Sequence, residues 1–284
     1  MPIDPSQALG AVKEFGNVSW SRDQVILYHL GVGAGARPTD PKELLYTYED
    51  NLKVLPSYGV IPNAAREHRL KGIPGMDFNP AMLLHGENDL EIHSPIPPEG
   101  TVTQTMKIAD IWDKGKAAVV VSETESRDAS GKLIFLNRSS SFMRGEGGWG
   151  GDPGPKAINE APDRKPDLEV ESPTLPQQAL LYRLNGDKNP LHADPDFASR
   201  GGFDQPILHG LCTYGMVCKA VVDHMLDGDC ASVARYQVRF AGVVFPGETI
   251  ITSMWKEDDK ILIQARVRER NTPALSNAAI TLRS

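Results

Sequence analysis

Residues 210–226 have the sequence GLCTYGMVCKAVVDHML, an almost wholly apolar stretch that is followed by Asp227 and Gly228. Its length and pattern predict a helix with apolar residues on every side, and such a helix is buried. An Asp-Gly pair directly after the stretch is typical of a helix end. The sequence therefore predicts one long helix in the protein core, with the other elements packed around it.

Segments with the pattern of β-strands follow this helix, and a second group of the same kind occurs in the first half of the chain. Each group begins after a Pro- and Gly-containing turn, PEGT ending at Thr101 or PGET ending at Thr249. Short turns rich in Asp, Gly and Lys separate the strands within a group, which is typical of antiparallel meanders. The predicted strands are residues 102–112, 116–126, 133–143, 250–256, 260–270 and 276–282.

Three sequence matches indicate that the two halves are copies of one unit. LYHLGVGAGARPTDP, from Leu27, matches LYRLNGDKNPLHADP, from Leu181, at an offset of 154 positions. LLHG around His85 matches ILHG around His209 at an offset of 124, and the two turns described above match at 148. Matches in the same order along the chain are the signature of an internal repeat.

The changing offset predicts that the two halves carry different insertions. Only 11 residues separate Gly86 from Pro98, which is too few for a second long helix plus a strand. We therefore expect the central helix of the first half to be short or missing. The predicted organisation is a first repeat at residues 1–145, a linker rich in Gly, Pro and charge at 146–176, and a second repeat at 177–284.

Composition excludes several classes of function. A net charge of -7 and a pI near 5.5 argue against a general affinity for nucleic acid or for an anionic membrane. Three cysteines without a matching histidine cluster argue against a disulfide framework and a structural metal. The N-terminal sequence lacks the pattern of a signal peptide, and no apolar run approaches the length of a membrane span. The sequence predicts a soluble, cytoplasmic protein.

The segment GDKNPLH places an acid, Asp187, five positions before an imidazole, His192. Pro190 fixes one backbone angle between them, and Asn189 offers an amide to the loop or to a ligand. We expect Asp194 to cap the following helix, with Pro195 at its first position, which anchors the loop from its far side. An acid and a base held in this way can activate one water molecule.

A third group is needed where negative charge develops during such a reaction. The free main-chain N–H groups at the start of the apolar helix meet this need, and Gly210 lets a reacting group approach closely. His209 is an alternative base. Since its match in the first half, His85, lies where no acid is present, a structural or pocket-lining role is the preferred interpretation of His209.

YRLNGDKNPLHADPDFA, together with LLHGENDLEIHSPIP, is similar to the signature of the R-specific 2-enoyl-CoA hydratases, the hydratase 2 or MaoC-like dehydratase family. This resemblance covers nearly the whole chain and implies an α+β double hot-dog fold, with antiparallel sheets wrapping the long helix. It implies catalysis by Asp187, His192 and the N–H of Gly210. By the same resemblance, substrate is bound by Asn189, His85, Gly86, Lys114 and Phe240.

The first repeat lacks the catalytic residues, because Gly33 stands opposite Asp187 and Pro38 opposite His192. We expect one active site per chain and a cavity for the acyl group in the first repeat. The function implied is reversible hydration of a trans-2-enoyl-CoA to an (R)-3-hydroxyacyl-CoA in fatty-acid or sterol side-chain β-oxidation. Alternatives are a dehydratase in fatty-acid synthesis, a thioesterase on the same fold, and a non-catalytic acyl-binding subunit.

The expected partners follow from this interpretation. The ligand is an acyl-CoA, which is the substrate, so no separate cofactor and no metal are expected. No nucleic acid or membrane partner is expected, and the chain is expected to form a homodimer. The preferred acyl length depends on how residues 49–82 fold over the cavity, where LPSYGVIP is a candidate lining segment.

Overall fold

The computed structural model describes residues 3–62, 70–79 and 82–283. The α-helices are α1 Pro5–Ala8, α2 Arg22–Gly31, α3 Pro41–Thr47, α4 Gln178–Tyr182, α5 Pro195–Arg200 and α6 Gly210–Met225. The strands are β1 Val12–Trp20, β2 Leu83–Ile92, β3 Gly100–Asp113, β4 Ala117–Arg127, β5 Leu133–Arg144, β6 Leu168–Pro173, β7 Val233–Phe240, β8 Thr249–Lys256, β9 Lys260–Val267 and β10 Thr272–Leu282. No helix within the described ranges is long and apolar enough to span a bilayer.

The strands form one antiparallel sheet in the order β1-β3-β4-β5-β2-β7-β10-β9-β8-β6. The order is symmetric about its centre, where β2 of the first half pairs with β7 of the second from Glu87↔Arg239 to Glu91↔Arg235. Each strand of one half thus has a counterpart at the same distance from the β2–β7 junction. This symmetry confirms the internal repeat and the double hot-dog architecture.

Helix α6 is the core of the second half. Eleven of its sixteen residues are buried, from Cys212 to Val222 without a break, so the helix is enclosed on all sides. Burying one aliphatic side chain of this size contributes about 1.5–3 kcal/mol, which makes α6 a principal source of stability. Asp227 and Gly228 after it adopt φ of 49° and 76°, so the predicted helix end is confirmed.

The first half has a different core. In its described part, the place of a long helix is taken by a 3-10 turn, Pro56–Val60, whose five residues are all buried and which packs against α6, β2, β5 and β7. Its Ser57 hydroxyl accepts a 2.8 Å hydrogen bond from the buried Tyr28 hydroxyl. The prediction of a short or missing central helix is confirmed for the residues that the structure describes.

The sequence match between LLHG and ILHG predicts that the two segments are structurally equivalent, and this prediction is wrong. His85 and Gly86 lie in strand β2, whereas His209 caps helix α6. The true counterpart of β2 is β7. The segments that precede these two strands have similar lengths, 35 residues between Thr47 and Leu83 and 32 between Arg200 and Val233. The similar lengths do not fit the predicted insertions, and the described residues of the two segments fold differently.

The predicted linker, residues 146–176, is partly regular. Residues 168–173 within it form the edge strand β6, which pairs with β8. The start of the linker is tied to the β3–β4 turn by a single carboxylate. Asp113 accepts hydrogen bonds from the main-chain N–H groups of Gly115, Gly148, Gly150 and Gly151. These bonds, that from Gly148 foremost, lower the pKa of Asp113 to about 2.

A buried ionic cluster connects the first half to helix α6. The Lys219 ammonium, on α6, lies 3.0 Å from the Glu43 carboxylate of α3 and 2.7 Å from Asp223. Tyr46 of α3 donates a 2.7 Å hydrogen bond to the same Asp223. Since Lys219 and Glu43 are both buried, their pairing fixes how α3 sits on the central helix.

Candidate active site

Residues 186–189 form a tight loop between two 3-10 turns, Arg183–Asn185 and Pro190–His192. Gly186 has φ of 110°, a conformation that side chains disfavour. The Asp187 carboxylate then accepts from the main-chain N–H of Asn189 at 3.2 Å, and the Asn189 side chain accepts from Leu191 at 3.0 Å. These local bonds hold the acid and the amide in place before any ligand binds.

Helix α5 anchors the far end of this loop as predicted. The Asp194 carboxylate caps it by accepting from the N–H groups of Asp196 and Phe197, and Pro195 is its first residue. In the first half, Asp40 and Pro41 begin α3 in the same way. The cap is thus common to both repeats, whereas the acid and the imidazole occur only in the second.

His192 is buried and held by the main chain. Its Nδ1–H donates a 2.8 Å hydrogen bond to the carbonyl of Ile207, so Nε2 of the neutral ring is an acceptor. Burial lowers the pKa of His192 below its ordinary 6.5, while the Ile207 carbonyl and the Asp187 charge act in the opposite direction. The imidazole is therefore a neutral base at pH 7.

Asp187, His192 and His209 converge, with one ligand atom from each lying within 4.8 Å of the others. Groups at this spacing can share one water molecule between them. One carboxylate and two imidazoles are also ligands that zinc accepts. The two rings, however, are stacked at 3.7 Å, so their in-plane lone pairs run side by side and do not converge as a tetrahedral ion requires. The arrangement suits water better than a metal ion.

Gly210 begins helix α6 immediately after His209 and is solvent-exposed. The N–H of a first helical residue has no acceptor within its own helix, and the positive end of the helix dipole lies behind it. A Cβ atom at this position would stand 3.1 Å from Cδ1 of Phe240, which covers the glycine from strand β7. The site therefore offers a main-chain donor beside an aromatic ring.

A cavity of about 1560 Å³ contains these groups. The residues predicted from the sequence that line it are Asp187, Asn189, His192, Gly210, His85 and Phe240. Apolar side chains of the first half form another part of its wall, among them Val60, Ile73, Met76, Phe78 and Leu83. Val60 belongs to the LPSYGVIP segment; residues 63–69 and 80–81 of the predicted 49–82 cover lie outside the described residues.

The predicted substrate-binding residues of the first half differ in their relation to the cavity. His85 lies 3.0 Å from the Ser139 hydroxyl and packs against the Phe240 ring at 4.6 Å. Gly86 occupies the β-bulge between β2 and β5, beside the cavity wall and not in it. Lys114 donates to the Pro153 carbonyl and lies over the Trp112 ring. The structure does not bring Lys114 to the cavity.

Sequence reasoning missed three basic residues that do line the cavity, Lys71, Arg144 and Lys188. All three side chains are exposed. Exposure is expected of a cation that binds a phosphate group at the mouth of a cavity. Lys188 could have been found, since it directly follows Asp187. The other two lie more than 40 positions from the motif, and only the fold brings them near it.

Comparison with known proteins identifies the family. The model for the MFE-2 hydratase 2 N-terminal domain matches residues 18–145, and the MaoC-like domain model matches residues 157–278. Enoyl-CoA hydratase ChsH3 of Mycobacterium tuberculosis is 48% identical over 266 residues, covering 92% of each chain. The mouse peroxisomal multifunctional enzyme type 2 is 43% identical over 274 residues, which are 93% of this chain but 36% of that enzyme.

Solved structures give the same result for the fold. A MaoC-like dehydratase from Phytophthora capsici superposes with a TM-score of 0.86 at 32% identity, covering 99% of this chain and 98% of the other. A Mycobacterium tuberculosis protein described as having a double hotdog fold superposes with a TM-score of 0.60 at 13% identity, covering 98% of this chain and 96% of the other. By its two matched domains and its sequence identity over most of its length, the chain belongs to the MaoC-like family, in the two-domain form found in hydratase 2.

Proposed function

We propose that the protein catalyses the reversible addition of water to a trans-2-enoyl-CoA, giving an (R)-3-hydroxyacyl-CoA in the breakdown of fatty acids or sterol side chains. One observation carries the proposal: the Asp187 carboxylate and the neutral His192 imidazole face each other beside the exposed start of α6. The names of the similar proteins support the same reaction, since two of them are an enoyl-CoA hydratase and a multifunctional enzyme of peroxisomes.

The reaction needs one water molecule held between Asp187 and His192. As a hydroxyl oxygen bonds to the β carbon, an O–H bond of the water breaks and its proton passes to these two groups. The electron pair of the double bond moves through the α carbon to the thioester oxygen, which accepts from the Gly210 N–H. A proton then returns to the α carbon on the same face. Water and enoyl thioester are thereby consumed in equal amounts.

Physical magnitudes agree with this division of roles. General acid–base help from a positioned pair is worth about 10²–10⁴-fold in rate. A main-chain donor at the developing oxyanion contributes about 3 kcal/mol of transition-state stabilisation. The main-chain bonds of Asp187 and His192 hold both groups before the substrate arrives, which reduces the entropy lost on the way to the transition state.

The acyl and CoA parts of the substrate are assigned to different parts of the cavity. The apolar wall contributed by the first half fits an acyl chain, because burying each CH₂ group contributes about 0.8 kcal/mol. Lys71, Arg144 and Lys188 supply positive charge for the phosphates of CoA. Asn189, His85 and Phe240 line the same cavity, and we assign them to the thioester and the adjacent pantetheine arm.

A spectrophotometric assay with purified protein tests the proposed reaction. Crotonyl-CoA and a long-chain enoyl-CoA should both lose the ultraviolet absorbance of the conjugated thioester, without release of free CoA. Chiral chromatography of the hydrolysed product should give the (R)-3-hydroxy acid. An (S) product would contradict the proposed geometry, and release of free CoA thiol would show a thioesterase instead.

We also propose that the enzyme is a cytoplasmic homodimer that needs no cofactor. The reaction is redox-neutral, so acid, base and main-chain donor suffice for it. Main-chain groups along the outer edges of β1 and β6 are available for pairing with a second copy. Activity should survive dialysis against a chelator, light scattering should give twice the chain mass, and fractionation should find the protein in the cytoplasm.

A further inference from the structure

His209 contacts several parts of the site and has no assigned role in the reaction. Its side chain is 1% exposed, and it is the residue that precedes helix α6. Through the main chain it is joined to Gly210. Through its ring it reaches both members of the acid–base pair, so one side chain connects all three reacting groups.

The contacts with the pair are of different kinds. The His209 ring stacks on His192 with centroids 3.7 Å apart and an interplanar angle of 27°. Its Nε2 lies 3.2 Å from the main-chain carbonyl of Asp187, which can only accept, so Nε2 carries the proton. Tyr182 packs against the same ring at 4.9 Å from another side. The ring is thus held in one orientation.

These contacts complete the positioning of the base. The Ile207 carbonyl accepts from one edge of the His192 ring, but one hydrogen bond does not by itself fix the rotation of the ring about its Cβ–Cγ bond. The stacked face of His209 removes this rotation and directs Nε2 towards the shared water. The hydrogen bond to the Asp187 carbonyl sets the distance between the acid loop and the start of α6.

We propose that His209 is a positioning residue for the hydration reaction, which aligns the His192 imidazole by stacking and fixes the Asp187 loop against helix α6 by a hydrogen bond. The inference rests on the proposed function, in which Asp187 and His192 activate water. His209 itself exchanges no proton with the substrate, because its Nε2 proton is held by the Asp187 carbonyl.

The stack also affects proton affinity. When His192 takes the proton of water, its cation lies over the face of a neutral aromatic ring, which stabilises the charged form. The charged groups that face His192 are Asp187, from the loop, and Arg183, from the preceding 3-10 turn. Loss of the His209 ring, with both of these groups retained, should lower the proton affinity of His192.

Three substitutions separate the two contacts. His209→Phe keeps a stacked ring and loses the hydrogen bond, whereas His209→Asn keeps a donor and loses the ring. His209→Leu loses both. We expect kcat to fall about tenfold in each of the first two variants and about 10²-fold in the third, with KM within about threefold, since misplacement of a base acts on the transition state. His224→Gln, at the exposed far end of the same helix, is the matched control and should keep full activity.

Titration of His192 by NMR gives a readout that a purely structural role would not change. In folded His209→Leu the titration midpoint of His192 should fall by about half a pH unit relative to the parent protein, while in His209→Phe the midpoint should not change. Asp187→Asn is the reference variant that tests the proposed function itself. If Asp187→Asn is inactive and all three His209 variants keep the parental kcat and midpoint, the inference is wrong. If Asp187→Asn keeps full activity, the proposed function itself fails.

Discussion

The ring of Phe240, at the end of β7, lies directly over Gly210, the first residue of α6, so that a methyl group on Gly210 would stand 3.1 Å from it. The strand thereby places an aromatic ring beside the residue whose N–H we assign to the thioester oxygen. His85 of the first half packs against the same ring at 4.6 Å. Residues of both repeats therefore shape the donor site, although only the second repeat supplies it.

Gly210→Ala should reduce kcat by about 10²-fold, because the added methyl displaces the Phe240 ring or intrudes on the place of the thioester. Alanine is a good helix former, so the melting temperature should change little. Steady-state kinetics and thermal unfolding measure the two effects. Parental kcat in a folded Gly210→Ala variant would show that close approach to this residue is not required.

The pH dependence follows from the direction of the His192 pKa shift. Burial lowers this pKa below 6.5, and the base acts in its neutral form, so kcat/KM should rise with pH through a midpoint below 6.5 and then level off. A profile of kcat/KM between about pH 5 and 8 measures the midpoint. An acid limb centred above 6.5 would contradict the assignment of His192 as the base.

The buried pair of Glu43 and Lys219 should matter for stability and not for chemistry. Glu43→Gln leaves the Lys219 ammonium with one carboxylate instead of two and should lower the free energy of unfolding by about 3 kcal/mol. Urea denaturation measures the change. The double variant Glu43→Leu/Lys219→Met should recover part of the loss, and kcat of the folded fraction should stay near the parental value. Full stability in the single variant would contradict the structural role.

Much of the site could be predicted because it lies in one local segment. Asp187, Asn189, His192 and the Asp194 cap occur within eight residues, and the main-chain bonds of Asp187, Asn189 and Asp194 span only two or three positions. Helix α6 could be predicted for a related reason, since a helix apolar all round leaves a continuous signal in the sequence.

Other features depend on contacts between distant residues and left no local signal. The LLHG segment shares three of its four letters with the helix start ILHG, but it belongs to strand β2, which pairs with β5 and β7. The edge strands β1 and β6 were missed because few of their residues are buried, which weakens the apolar pattern. The stack of His209 on His192 joins residues 17 positions apart, and sequence spacing alone does not show it.

The family resemblance indicates Lys114 as a CoA-binding residue, whereas the geometry of the cavity indicates Lys71. Alanine variants of the two residues distinguish these assignments. Lys71→Ala, at the cavity, should raise KM for an enoyl-CoA severalfold and should matter less at high salt, because the contact is electrostatic and exposed. Lys114→Ala, on the β3–β4 turn, should leave KM unchanged. Kinetics of both variants with one substrate provide matched controls for each other. The reverse order of effects would favour the residue indicated by the family resemblance.

The central claim is that one acid and one neutral imidazole share a water molecule. Asp187→Asn and His192→Gln keep the size of each side chain and remove its basic group, so both should fold normally. With an enoyl-CoA substrate, each should lose about 10²–10⁴-fold in kcat, and the double variant should lose little more than the worse single one, since the two groups act as a unit. Parental rates of hydration in both folded variants would contradict the account.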